Sequence, residues 1–163
     1  MTLREQVTGV WSLVSYQSQD ETGKVIYPFG KDATGFLMYH PEGYVSANFM
    51  RQGRPAYSSG DPHEGTKEEM AEAAFGYLAY AGKFEVNEET NTLIHHVEVS
   101  MNPTWLGKQQ PRVASIEGDI LSIYNGLKPN QRLVWKRVGS IISGLSANRW
   151  CFFYKSKYKW NKK

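Results

Sequence analysis

Residues 82–124 read GKFEVNEETNTLIHHVEVSMNPTWLGKQQPRVASIEGDILSIY. Apolar and polar residues alternate through KFEV, TLIHHVEVSM, RVASIE and ILSIY, and turn-forming residues separate these runs. Such a pattern predicts consecutive short strands. In the second run Leu93, His95, Val97, Val99 and Met101 fall on one face, and His96, Glu98 and Ser100 fall on the other. Pairing Glu117 with Ile120 across Gly118-Asp119 places Arg112, Ala114, Ile116, Leu121 and Ile123 together. The result is a β-meander whose apolar face carries one imidazole and one guanidinium. That combination suits an antiparallel barrel that encloses a small molecule.

Further strands lie on either side. Leu133–Val138 forms a last strand with Trp135, and Val10–Ser18 forms a first one with Trp11. In that first strand Trp11, Leu13 and Ser15 share a face, opposite Val10, Ser12, Val14 and Tyr16. Gly35–Met50 reads as a hairpin over His40-Pro41-Glu42-Gly43. Pairing Tyr39 with Tyr44 puts Phe36, Met38, Val45, Ala47 and Phe49 on its apolar face. Thr2 with Glu5, and Thr66 with Glu69, have capping-box spacing, which predicts a short N-terminal helix and a longer helix that begins after Thr66 and stops at Gly82. The loop at residues 51–65, rich in Gly, Pro, Ser and charge, has the length of a site mouth or lid. About seven to nine strands and one substantial helix make an all-β chain, and closing the meander removes its free edges.

Composition narrows the function. The chain has 163 residues, one domain's worth, with 13% aromatic residues and a single cysteine, Cys151, so no intrachain disulfide forms. No signal-peptide pattern and no apolar run of membrane-spanning length occurs, which points to a cytoplasmic protein. The net charge of +3 is deceptive: residues 139–163 hold six of the 19 basic residues and none of the 16 acidic ones, so residues 1–138 carry −3. A mildly acidic domain is a poor partner for nucleic acid. The four histidines lack zinc-site spacing, and no phosphate loop or nucleophile elbow is present, so neither metal nor cofactor is expected.

Several fragments together resemble the lipocalin-like domain family of bacteria and fungi, over roughly residues 5–138. They are Gly9-x-Trp11, Tyr27-Pro28-Phe29-Gly30, Gly35-Phe36-Leu37-Met38-Tyr39 with Glu42-Gly43, and Tyr80-Ala81-Gly82-Lys83-Phe84. His95-His96-Val97-Glu98, Pro103-Thr104-Trp105-Leu106-Gly107, Arg112, Gly118-Asp119-x-Leu121 and Leu133-Val134-Trp135-Lys136-Arg137 follow in order. The resemblance implies a lipocalin-like barrel with a central pocket. Some members of that family in fungal natural-product pathways look like isomerases or cyclases, and many others have no assigned activity. Residues 139–163 match nothing in that family. They read either as translated non-native sequence, which one uninterrupted coding frame across the Val138 codon would refute, or as a basic-aromatic tail that touches a membrane or partner.

Two residues stand out for chemistry. His95, desolvated among Leu93, Val97 and Val99, can exchange a proton near neutral pH or serve as a hydrogen-bonded core histidine. On the opposite alternation, His96 and Glu98 would take its place. Arg112 on an apolar face needs a partner, either an anionic oxygen of a ligand or a glutamate at the barrel mouth. The leading expectation is a cofactor-independent isomerase or cyclase acting on a hydrophobic or aromatic metabolite, with His95 and Arg112 catalytic. Phe36, Met38, Val45, Phe49, Ile116 and Leu121 would form its walls, with Trp105 at the mouth. The alternative is a non-catalytic carrier. A homo-oligomer is compatible with either.

Overall fold

The computed structural model describes residues 1–138; the segment 139–163 and the readings made of it lie outside the described residues. Nine strands follow one another: β1 (Gly9–Gln19), β2 (Val25–Ile26), β3 (Thr34–Tyr39), β4 (Tyr44–Met50), β5 (Tyr77–Asn87), β6 (Thr92–Ser100), β7 (Gln109–Glu117), β8 (Ile120–Asn125) and β9 (Lys128–Arg137). Helix α1 (Leu3–Val7) precedes β1, and α2 (Lys67–Phe75) precedes β5. Every pairing is antiparallel between sequence neighbours, except that β1 skips β2 to pair with β3 and also pairs with β9. Eight strands therefore close into a ring, and β2 hangs on the overhanging end of β1.

One end of the ring is plugged. Leu3 and Val7 of α1 are buried and belong to the core cluster that also holds Trp11, Tyr39, Val45, Phe84, Leu93 and Leu121. Thr2 and Glu5 form the predicted capping box. Glu88 at the β5–β6 turn accepts from the free amides of Leu3, at 2.7 Å, and Arg4, at 3.2 Å. The Trp11 indole N–H donates to the Val7 carbonyl at 2.8 Å. Arg137 lies over the Trp11 ring at 4.0 Å and donates to the carbonyls of Gln6 and Thr8 at the end of α1.

The hairpin β3–β4 departs from expectation in an instructive way. Its register pairs Tyr39 with Val45 and Leu37 with Ala47, one residue away from a Tyr39–Tyr44 pairing. The amide of His40 donates to the Tyr44 carbonyl at 2.7 Å, and that of Gly43, at φ 91°, donates to the His40 carbonyl at 2.9 Å. This is a turn followed by a left-handed glycine bulge, a three-residue loop instead of one with an even count. The odd count reverses the parity of β3. Leu37 and Tyr39 point inward, while Phe36 and Met38, expected to line the pocket, are 50% and 42% exposed on the outside.

Two bulges reset alternation elsewhere. Between Leu13 and Ser15 the β1–β9 register slips, so Tyr16 turns inward and Val14 outward. Between Ala81 and Gly82 the β5–β6 register slips, and Val99 leaves the inner face while His95 and Val97 keep it. Gly82 lies at that slip inside β5, not at a helix end. A side chain there would put Cβ 1.8 Å from the His96 carbonyl oxygen, so only glycine lets the strands approach. Helix α2 keeps its capping box at Thr66 and Glu69 but ends at Phe75 and buries none of its residues. Tyr77 and Tyr80, read from sequence as part of that helix, belong to β5.

Candidate functional site

Above the plug the ring holds a chamber with about 470 Å³ of space between its atoms, part of it open to solvent. Little of that space is wide, so the chamber is narrow. All eight strands of the ring contribute walls. Leu37, Ala47, Phe49, Leu78, Ile123, Leu133 and Trp135 are apolar; Tyr16, Tyr80, His95, Arg112, Asn125 and Gln131 are polar or mixed. Trp105 completes the lining from a single 3₁₀ turn at Pro103–Trp105 between β6 and β7. No carboxylate is among these residues.

His95 is 1% exposed, and tyrosines hold both of its ring nitrogens: Tyr39 Oη is 2.9 Å from Nε2 and Tyr80 Oη is 2.9 Å from Nδ1. Burial, reinforced by the positive charge of Arg112, holds its pKa well below the ordinary 6.5. Burial, with neighbouring Tyr80, drives Tyr39 well above 10.0; burial also raises Tyr80, and the Arg112 cation opposes both shifts. The neutral imidazole offers one donor and one acceptor. One tyrosine therefore donates to it and the other accepts from it, and the accepting tyrosine keeps its own O–H for another group.

Arg112 is 6% exposed and meets only neutral acceptors. Nη1 donates to the Pro111 carbonyl at 2.9 Å and to Asn125 Oδ1 at 3.4 Å; Nη2 donates to Gln110 Oε1 at 3.3 Å. Its guanidinium carbon lies 6.0 Å from the Trp105 ring centre. No acidic group of the described residues pairs with it, so of the two partners considered for Arg112 the glutamate at the mouth is not found among them. The Trp135 indole N–H is also buried without a partner.

Of the residues read from sequence, His95, Arg112, Phe49 and Trp105 meet in this chamber. Val45 and Leu121 are buried in the core but do not line it, and Ile116 faces a separate recess beneath α1. Phe36 and Met38 lie outside because of the hairpin loop. His96 points outward, with Nε2 3.4 Å from Glu85 Oε1. Sequence reading missed Tyr16 and Tyr39, which were placed on the wrong face, and Tyr80, taken into the helix that was read to run as far as Gly82. Patterning around β5 held one usable signal: Tyr80, Gly82 and Phe84 alternate with Ala81 and Lys83 at strand period. No residue of the loop 51–65 lines the chamber. No group of three or more His, Cys, Asp or Glu gathers among the described residues, and none of their helices is long and apolar enough to cross a membrane.

Eight closed strands around an internal chamber define a lipocalin-like barrel. The chain belongs to the lipocalin-like domain family, whose profile matches residues 8–140. A protein of Aspergillus oryzae (strain ATCC 42149 / RIB 40), the 4'-hydroxy-3'-methoxypropiophenone carrier protein ppsC, is 36% identical over 107 residues, which cover 58% of this chain and 96% of that protein. Among solved structures, the lipoprotein YedD from Klebsiella pneumoniae subsp. pneumoniae MGH 78578 aligns at 12% identity with a TM-score of 0.39, covering 84% of this chain and 75% of that one.

Proposed function

We propose that this barrel binds a small, flat, aromatic metabolite of a secondary pathway and carries it without changing it. The narrow, largely apolar chamber with all but one of its polar groups on β5 to β9 carries this reading. Apolar walls supply affinity by excluding water, and the few polar groups fix orientation. The related carrier from Aspergillus supports it, because the compound in its name is a planar aryl ketone of suitable shape. His95 supports it too. An imidazole with both nitrogens engaged and its pKa held well down is a poor proton shuttle for a guest.

One observation favours catalysis of an isomerisation or cyclisation instead. The Tyr80 hydroxyl lies between His95 and the Arg112 guanidinium, where it can donate a proton while Arg112 stabilises a developing oxyanion. Incubating the protein with an extract of cells lacking it, followed by mass spectrometry, separates the two readings. A carrier returns a co-purifying compound unchanged in mass and chromatography. A product of equal mass but different retention, lost in His95→Ala, would replace the carrier with an isomerase or cyclase.

A further inference from the structure

We infer that the guest binds as an anion: an aromatic molecule whose ionised phenol, enol or carboxyl oxygen pairs with Arg112. This rests on the reading of the chamber as a small-molecule site. Removing a cation from water is costly unless an opposite charge compensates it. Arg112 is buried on the chamber wall and makes three hydrogen bonds, all to neutral oxygens. Five N–H donors belong to a guanidinium; those bonds use three, and the only other oxygen against it is the neutral Tyr80 hydroxyl. The titratable groups facing it are Tyr16 from β1, Tyr39 from β3, Tyr80 from β5 and His95 from β6, and none supplies a negative charge at neutral pH. Neighbouring β7 and β8 offer Gln110 and Asn125, which are neutral. The chamber is thus a positive, carboxylate-free space missing one charge.

A guest oxygen at that point receives the Arg112 donors. It also receives the Tyr80 O–H in the tautomer where His95 carries its proton on Nδ1 and Tyr80 accepts it. A neutral acceptor elsewhere on the guest would satisfy the unpartnered Trp135 indole N–H. Because the cation favours the ionised form, binding lowers the guest's own pKa. A phenol entering below its free pKa breaks its O–H bond, keeps the electron pair on oxygen and releases one proton to solvent.

Two probes of one shape decide the matter: 4'-hydroxy-3'-methoxypropiophenone and its 4'-O-methyl ether, which cannot ionise. Quenching of tryptophan emission reports occupancy, and the red-shifted phenolate absorption reports ionisation. The phenol should bind at least about tenfold more tightly than the ether. Its phenolate band should appear about one pH unit or more below the free midpoint. In Arg112→Gln both differences should vanish, and in Arg112→Lys the absorption shift should partly return. Equal affinities with no absorption shift would rule out the anion and leave the carrier reading standing. No quenching by either compound would overturn both. Should Arg112→Gln fail to fold, the phenol–ether comparison on the unaltered protein decides alone.

Discussion

The two ends of the barrel use the same residue types to opposite effect. At the plugged end Trp11 donates its indole N–H to Val7, and Arg137 stacks on that ring at 4.0 Å while capping the carbonyls that end α1. In the chamber Trp135 has no acceptor for its indole N–H, and Arg112 sits 6.0 Å from Trp105 among neutral oxygens. One Trp–Arg pair is satisfied; the other set leaves donors free. A fold selected for stability alone would not keep the second arrangement, because unsatisfied buried donors and unpaired buried charge both destabilise it. The difference marks the plug as the part that holds the ring and the chamber as the part kept for a guest.

Mutation can break that division. The largest effect belongs to the plug: Trp11→Ala should destabilise the fold by about 3–5 kcal/mol in urea unfolding, as expected for a fully buried aromatic side chain. A loss below 1 kcal/mol would deny the plug its role. Arg112→Met should act in the opposite direction, stabilising the guest-free protein by about 1–4 kcal/mol as a buried charge gives way to an apolar chain. The same variant should lose affinity for the phenolic probe. Destabilisation by Arg112→Met would mean that its neutral hydrogen bonds already compensate its charge.

A pH series tests the state of His95. The unfolded chain binds a proton at His95 near pH 6.5, whereas burial and Arg112 make the folded chain refuse it. More protons on the unfolded state means that stability falls as pH drops below 6.5, by up to about 1.4 kcal/mol per pH unit. His95→Gln should flatten the profile between pH 6.5 and pH 5; an unchanged slope would show that His95 is charged when folded. The smallest effect is expected at Phe36→Ser, within about 0.5 kcal/mol and with no change in probe affinity, because Phe36 lies outside the ring. Phe49→Ala, from the neighbouring strand but inside the chamber, should weaken both stability and binding.

Strand count and the β7–β8 face were legible because period-two alternation is unbroken there and the two-residue Gly118-Asp119 turn fixes register. Arg112 and His95 were therefore correctly placed inward. Errors came wherever a single residue altered parity. Gly43 adds a left-handed residue to one hairpin; bulges at Leu13–Ser15 and Ala81–Gly82 add one to a strand. Each flips every side chain beyond it, and that is how Phe36 and Met38 were taken for walls and Tyr16 and Tyr39 were not. Tyr80 was hidden differently, since alanine-rich sequence on both sides of Gly76 sustains a helical period past the true end of α2.

Trp105 alone among the chamber's lining residues does not sit in a strand. Its turn is held by Asn102 accepting from the Thr104 amide and by edge contact with Tyr80. Displacing any other wall means breaking a strand ladder; the backbone bonds of Trp105 itself are local, to Asn102 and Lys108, although the flanking Gly107 and Lys108 pair with Val97. On the carrier reading proposed above, residence time would matter as much as affinity, and the two would be set in different places. The strands and Arg112 would set how tightly a guest is held, and the Trp105 turn would set how soon it leaves.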